Sequence, residues 1–352
     1  MAAFDRSLVV GPSSSTGRWR EYTVLSRQLK QAGLLGRRRG WYVARISLNL
    51  ALLAAGVAAF VVVGASWWQL LVAAYLAVVA TQLTFVGHDA GHRQIFRGRR
   101  ANDLVGLAHG NLLVGISFGW WVPKHNAHHT NPNDEDLDPD IGIAVLAFHR
   151  RPGPRQTRPG PGDRPLPGVP VLPVAVAGGR PPAPGQHQVR RPGLGRANTV
   201  EGLLLVVLLV VYVTVLVVVL TPVQALAFVV VQQGLFGLYL GCAFAPNHKG
   251  MPTLTQADQL DFLRRQVLTS RNVRGSRMVD YVLGGLNYQI EHHLFPTMPR
   301  PNLRRAQPLI RDFRRHHNLP FTEASLVGSY TQALRHLHTV SAPLRPVRTA
   351  AD

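Results

Sequence analysis

The stretch LLLVVLLVVYVTVLVVVL, residues 203–220, decides the fold of this 352-residue chain. It holds no charged side chain, and its length approaches the ~20 residues that an α-helix needs to cross ~30 Å of hydrocarbon. A second apolar run, residues 223–245, follows after two residues, and two earlier runs at 46–63 and 67–86 form a similar close pair. None of the four has the alternating pattern of a membrane β-strand, so we expect four transmembrane helices.

The basic residues indicate how these helices are oriented. The chain has a net charge of +20, and no lysine or arginine lies inside the four runs. The connections within each pair carry no positive charge, whereas arginine clusters at 37–39, 97–100 and 264–265 lie outside the pairs. By the positive-inside rule the connections face outward and the remaining segments face the cytoplasm. The same rule explains the basic balance, and without a helix-turn-helix, zinc-finger or RNP-type motif we expect no nucleic-acid partner.

Cysteine usage and the N-terminus narrow the class of protein further. The single cysteine, Cys242, lies inside an apolar run, so a disulfide framework or a cysteine-based metal site within one chain is excluded. Residues 1–40 are polar, rich in arginine and too long for the n-region of a signal peptide. We therefore expect the first run to remain as a membrane anchor.

Together these patterns predict an all-α integral membrane protein with two transmembrane helical hairpins, four spans in all, and a cytoplasmic helical cap. A weaker run at 104–121 contains polar residues and ends in two tryptophans, which favours an interfacial or re-entrant segment. The predicted divisions are a cytoplasmic N-terminal segment (1–44), hairpin 1 (45–87), a cytoplasmic or interfacial segment (88–148), an anomalous segment (149–198), hairpin 2 (199–245), a cytoplasmic domain (246–340) and a disordered tail (341–352).

Histidines cluster in the segments predicted to face the cytoplasm. The first cluster, GHDAGH at 87–92, places two imidazoles at positions i and i+4, on one face of a helix that continues the second run. The second is HNAHH at 125–129, the third is QIEHH at 289–293, and one more histidine follows the fourth run. The eight histidines of interest are His88, His92, His125, His128, His129, His248, His292 and His293.

Three spaced clusters that face one compartment predict a shared metal site. Imidazole suits iron, zinc and copper, and eight nitrogens exceed what a single ion needs, so two ions are expected. No catalytic residue beyond the metal ligands is predicted. The acids beside the histidines are not expected to bind the metal. We expect them to accept hydrogen bonds from ring N–H groups and so to orient the rings. These acids are Asp89, Asp134, Asp136 and Glu291.

The clusters resemble those of the membrane fatty acid desaturases. The resemblance rests on GHDAGH, WWVPKHNAHHTNPNDEDLDPD and LNYQIEHHLFPTMPR, and it covers about 41–143 and 201–312. The glutamine of the third cluster resembles the front-end subgroup and related bacterial acyl desaturases. The resemblance implies that all eight histidines bind iron, that Asn247 or Gln289 holds a metal-bound water, and that an apolar tunnel takes the acyl chain. Trp120, Trp121 and Phe295 are candidates to line that tunnel.

The resemblance also implies an activity and its partners. The expected reaction uses O2 at a centre of two iron ions to insert a cis double bond into an acyl chain, carried by coenzyme A or by a lipid. The chain has no HPGG heme motif, so we expect an external electron donor, a ferredoxin or a cytochrome b5-type protein with its reductase. The high usage of Arg, Ala and Gly suggests a GC-rich bacterial genome. We therefore expect a multi-pass protein of the bacterial inner (plasma) membrane, with its active site on the cytoplasmic side.

Two alternative functions remain open from the sequence. A related lipid hydroxylase would share the di-iron chemistry, although the third cluster and the DLDPD sequence after the second favour a desaturase. A metal-binding membrane protein without catalysis is the other alternative. A transporter would place its ligands near the bilayer midplane on broken helices, whereas these histidines lie outside the apolar runs.

Residues 149–197 depart from the family pattern. This stretch is dense in Pro, Gly and Arg and has almost no helical period, so as written it is predicted to be a disordered linker. We hypothesise that it is translated in a shifted reading frame. With suitable codons, the segment at 166–173 shifts to Tyr-Gln-Ala-Tyr-Leu-Phe-Phe, an aromatic, family-like segment. The alternative is a genuine insertion, and the gene sequence distinguishes the two.

Overall fold

The computed structural model describes residues 15–140, 196–255 and 257–340, and most of them are helical. The helices are α1 (Ser15–Gln31), α2 (Arg39–Val63), α3 (Gln69–Gly91), α4 (Arg99–Leu107), a π-helix (Ala108–Val114), α5 (Phe118–Thr130), α6 (Arg196–Val219), α7 (Pro222–His248), α8 (Phe262–Thr269), α9 (Arg277–Val282), α10 (Gln289–Leu294), α11 (Arg300–His316) and α12 (Leu326–Val340). Two short strands, β1 (Arg271–Arg274) and β2 (Thr322–Ser325), pair in parallel. The anomalous segment, up to residue 195, and the predicted tail lie outside the described residues.

Four helices are long and apolar enough to cross a membrane: Arg39–Val63, Gln69–Gly91, Thr199–Val219 and Pro222–His248. They coincide with the four runs found in the sequence, so the prediction of a mainly helical chain with four candidate spans is confirmed. The described residues form two compact units. The membrane unit comprises 39–123 and 196–240, and the C-terminal unit comprises 15–38, 124–140 and 241–340 apart from 256.

The connection between α2 and α3 satisfies the backbone at the end of α2. The buried side chain of Gln69 donates to the carbonyl oxygens of Phe60 and Gly64, at 2.6 and 3.0 Å. Carbonyl groups at a helix end have no partner within the helix, and hydrocarbon offers none. Gly64 has a φ of +57°, a conformation that favours glycine. A polar residue in the first turn of α3 therefore makes this short connection possible.

The core of the membrane unit draws on all four candidate spans. Phe60 of α2 and Phe228 of α7 pack edge to face with ring centroids 5.2 Å apart. Val72 of α3 and Leu216 of α6 lie in the same buried cluster. Because edge-to-face aromatic pairs add to the stability gained by burial, this cluster fixes the four helices against one another.

Between α3 and α6 the chain makes a sharp bend. The segment Arg99–Val114, which is α4 with the π-helix, meets Phe118–Thr130 at 112°, as either a broken span or a re-entrant loop. Glu201 of α6 stabilises the bend, because its Oε2 accepts hydrogen bonds from Ser117 Oγ at 2.7 Å and from the backbone N–H of Gly119 at 2.9 Å. The interfacial or re-entrant placement of this segment stays a prediction.

The C-terminal unit has its own apolar core. Leu25 and Leu29 of α1 are fully buried against Leu294 and Met298, which follow the third histidine cluster. Tyr22 stacks on Phe295 with ring centroids 5.3 Å apart, and its hydroxyl donates to the carbonyl oxygen of Leu294 at 3.0 Å. The N-terminal helix thus holds α10 in place, and α10 carries two of the predicted ligands.

Candidate metal centre

The first histidine pair lies in the membrane unit, at the end of α3. The backbone N–H of His92 donates to the carbonyl oxygen of His88 at 3.1 Å, which extends the helical geometry to both residues. Their ring centroids are 4.7 Å apart, and both side chains are buried. The one-face placement predicted from the i, i+4 spacing is therefore present.

Trp121 packs beside this pair. Its ring centroid is 5.5 Å from that of His88, and one of its ring carbons would lie 2.7 Å from a Cβ placed on Gly91. Glycine between the two histidines therefore lets the indole approach. Trp120, by contrast, is 54% exposed, as expected of an aromatic residue at a membrane surface.

The other six histidines come together in the C-terminal unit. His125, His128 and His129 lie on α5, His248 ends α7, and α10 provides the third cluster. The ring of His129 stacks on that of His293 at a centroid distance of 4.1 Å, and the rings of His128 and His248 are 4.8 Å apart. All six side chains are buried. Segments that are distant in sequence thus supply one histidine cluster.

Three of these histidines share one hydrogen-bonding pattern. The Nδ1 of His128 lies 3.0 Å from both carboxylate oxygens of Asp138, and the Nδ1 of His248 lies 3.0 Å from the carbonyl oxygen of Thr269. The Nδ1 of His293 lies 2.9 Å from Gln266 Oε1, and Gln266 Nε2 donates to the carbonyl oxygen of His129, which fixes the orientation of that amide. Each partner is an acceptor, so each Nδ1 carries the proton and each Nε2 presents its lone pair.

This arrangement fits a metal ion. The ligating atoms of His128, His248 and His293 all lie within 4.8 Å of one another, and Nε2 of His248 is 3.1 Å from Nε2 of His293. Two imidazoles bound to one ion at ~2.0–2.1 Å would have their nitrogens about 3.0–3.4 Å apart. Nε2 of His125 and Nε2 of His129 also face each other at 3.1 Å. Buried lone pairs held this close repel one another unless a proton or a cation lies between them.

Polar side chains of the third cluster complete the surroundings. Gln289 Nε2 is 2.8 Å from Nε2 of His248, and Asn247 Nδ2 donates to Gln289 Oε1 at 3.4 Å. Glu291 is fully buried and accepts a hydrogen bond from Asn272 Nδ2 at 2.7 Å, while burial raises the pKa of its carboxyl to about 7. Gln289 is therefore next to a predicted ligand atom, whereas Glu291 faces the core.

The acids expected to orient the rings do so only in part. Asp89 Oδ1 is 3.4 Å from Nδ1 of the neighbouring His88. Asp134 instead accepts from the backbone N–H groups of Asp136 and Leu137, at 3.1 Å each, because its side chain closes its own turn. Asp136 is exposed. Sequence reasoning missed three further residues that contact the rings: Asp138, Gln266 and Thr269. Asp138 belongs to the quoted DLDPD sequence, while no spacing rule points to the other two.

Phe295 packs in the interior of the C-terminal unit. The resemblance made it a candidate to line an acyl tunnel, but it is buried in the core of the C-terminal unit. Its stacking on Tyr22 accounts for that position, because the aromatic pair closes the core over α10. Whether Phe295 lines a tunnel stays a prediction.

Fold and site together define an integral membrane protein with a buried, histidine-rich metal site. The family model for fatty acid desaturases matches residues 65–325, and the chain belongs to that family.

Several curated proteins are similar to this chain. An acyl-lipid (9-3)-desaturase of Physcomitrium patens is 28% identical over 86% of this chain and 59% of its own length. A delta(8)-fatty-acid desaturase of Helianthus annuus is 27% identical over 94% of this chain and 75% of its own length. The delta(6)-fatty-acid desaturase fat-3 of Caenorhabditis elegans is 28% identical over 78% of this chain and 65% of its own length. The chain thus spans about three fifths to three quarters of the length of these relatives.

Proposed function

We propose that this protein is a fatty acyl desaturase that inserts a cis double bond into an acyl chain at the expense of O2. The observation that carries the proposal is the shared pattern of His128, His248 and His293, whose Nδ1 atoms face oxygen acceptors while one ligating nitrogen of each ring lies within 4.8 Å of the others. Relatives named as desaturases support the choice of reaction.

The centre is proposed to hold two iron ions. Its ligands are the eight histidines named from the sequence. Geometry supports the six in the C-terminal unit, and the HxxxH motif supports His88 and His92. When bound, iron supplies the activation of O2 that removes hydrogen from an unactivated methylene. The acceptors behind each ring keep the imidazoles in one tautomer and one orientation.

The protein's own residues hold the ligands, position the substrate and exclude water. Burial of the ligand rings keeps bulk water from the site, which protects reactive species. Gln289, or Asn247 behind it, is proposed to hold a metal-bound water, because the Gln289 amide lies beside a ligand nitrogen. Trp121 is proposed to contact the acyl chain where it passes the first histidine pair, with Trp120 nearer to lipid.

Topology and partners follow from the sequence argument. We propose two transmembrane hairpins, with a cytoplasmic helical cap that carries the histidine clusters, in a bacterial plasma membrane. The two electrons needed in each turnover come from a ferredoxin or a cytochrome b5-type protein with its reductase. The substrate is an acyl-CoA or an acyl lipid. A basic cytoplasmic face suits an acidic donor.

The test is lipid analysis by gas chromatography–mass spectrometry after expression in a host that lacks desaturases and is supplied with a donor. We expect a new unsaturated acyl species that His128→Ala and His292→Ala abolish. His316→Ala is the matched control, because His316 is exposed and its Nδ1 contacts its own helix, at the carbonyl oxygen of Asp312. A hydroxylated product would indicate the lipid hydroxylase instead. If no new lipid species forms although a donor is present, both the desaturase and the hydroxylase are contradicted.

A further inference from the structure

The helix that carries His248 lacks one backbone hydrogen bond near its C-terminal end. Pro246 lies inside α7 and has no backbone N–H, so the carbonyl oxygen of Cys242, four residues earlier, lacks its helical donor. The hydroxyl of Tyr330, on α12, donates to that carbonyl oxygen at 2.8 Å. A side chain from the C-terminal helix thus replaces the hydrogen bond that the proline removes.

Two side chains donate hydrogen bonds to the carbonyl oxygen of Pro246 itself. Ser329 Oγ donates to this oxygen at 2.7 Å, and Arg271 Nε donates to it at 3.0 Å. The same guanidinium donates to the carbonyl oxygen of Lys249 at 2.9 Å and to Gln332 Oε1 at 2.6 Å. Arg271 is fully buried, and among the described residues its hydrogen bonds all go to neutral oxygen atoms. A cation buried in this way is retained where several backbone carbonyls need donors.

These contacts hold the backbone on both sides of His248 and also its ring. Arg271 holds the carbonyls at 246 and 249, while Thr269, two residues earlier on the same segment, accepts from Nδ1 of the His248 ring at 3.0 Å. One short segment therefore fixes the backbone and the ring of His248 together. Because α12 holds that segment through Ser329 and Gln332, the position of the ring depends on a helix that contributes no ligand.

We propose that Tyr330, Ser329 and Arg271 are positioning residues for His248, and that α12 serves to hold this histidine in its metal-binding orientation. The inference rests on the proposed di-iron function. Mutation of a residue that hydrogen-bonds to a metal ligand typically weakens metal binding 10–100-fold. Removal of one hydroxyl among several donors should fall at the lower end of that range.

The experiment measures iron bound per polypeptide in the purified full-length protein, across a series of iron and chelator concentrations. We expect Tyr330→Phe to retain iron about tenfold more weakly than the wild type. Tyr75→Phe is the matched control, because the Tyr75 hydroxyl also donates to a helix carbonyl, that of Leu52, at 2.9 Å. It should retain iron as the wild type does. A lysine ammonium has three rotatable donors and cannot reproduce the planar donor geometry of the guanidinium. Arg271→Lys should therefore also retain iron more weakly than the wild type.

A double variant separates positioning from general damage to the fold. In a His248→Ala background, Tyr330→Phe should cause no further loss of iron, because the ring that it positions is gone. An equal further loss there, or wild-type retention in Tyr330→Phe alone, overturns the proposal. A wild-type protein that binds no iron contradicts the proposed function instead. The two failures are therefore distinguishable.

Discussion

At the scale of single residues, the acceptors behind the histidine rings decide whether the site is ready for a metal. Asp138 contacts Nδ1 of His128 through both oxygens, and it also accepts from the backbone N–H groups of Asn133 at 2.8 Å and Asp140 at 2.9 Å. Asp138→Asn keeps one acceptor oxygen but loses the charge and the second oxygen. We expect about tenfold weaker iron retention, measured by metal analysis at limiting iron. Asp136→Asn, at an exposed acid in the same stretch, should retain iron normally; equal losses in both would contradict this role for Asp138.

The burial and clustering of the histidines agree with the sequence motifs, whereas the acceptors behind the rings were largely missed, for a physical reason. His88 and His92, like His125 and His129, lie four residues apart on a helix, so their spacing alone predicts that each pair shares a face. Gln266 reaches His293 from 27 residues away, and Thr269 uses only its backbone carbonyl. Neither contact leaves a local pattern. Membership of the fatty acid desaturase family is confirmed, whereas the role of each ligand stays a prediction.

At the scale of elements, the bend before α5 depends on one carboxylate and one glycine. A Cβ on Gly119 would lie 2.1 Å from Oε1 of Glu201, so Gly119→Ala displaces the carboxylate that accepts from Ser117 and from the bend's own backbone. Leaving these groups without partners should cost about 1–3 kcal/mol. We expect a lower melting temperature in detergent. Gly202→Ala, next to Glu201 with nothing near its Cβ, should not lower it, and a matching drop there would contradict the explanation.

Secondary-structure elements could be predicted from the sequence where composition alone determines them. Uncharged runs predicted the four candidate spans, since hydrocarbon leaves a single chain segment few alternatives to a helix. The β1–β2 pair was not predicted, because two four-residue strands from separate segments carry no period long enough to detect. The contribution of α12 was also missed, since its Ser329 and Tyr330 act through carbonyl oxygens in another helix.

At the scale of the whole molecule, the number of spans decides which segments share a side of the membrane. The structure is compatible with four spanning helices, or with five if the bent pair crosses. The positive-inside rule favours four, because a fifth would carry the arginines that follow α7 to the outside. The histidine clusters that follow the bend would then face the wrong compartment for a cytoplasmic electron donor.

Cysteine labelling tests this topology directly, because Cys242 is the only cysteine and Cys242→Ala leaves none. We expect Ala65→Cys, in the α2–α3 connection, to react with a membrane-impermeant maleimide in sealed right-side-out vesicles. Thr130 and Ser276 are also exposed, so Thr130→Cys and Ser276→Cys should react only after permeabilisation. With five spans, both would instead react from outside. That outcome would place the second and third histidine clusters on the outer side and contradict a cytoplasmic donor.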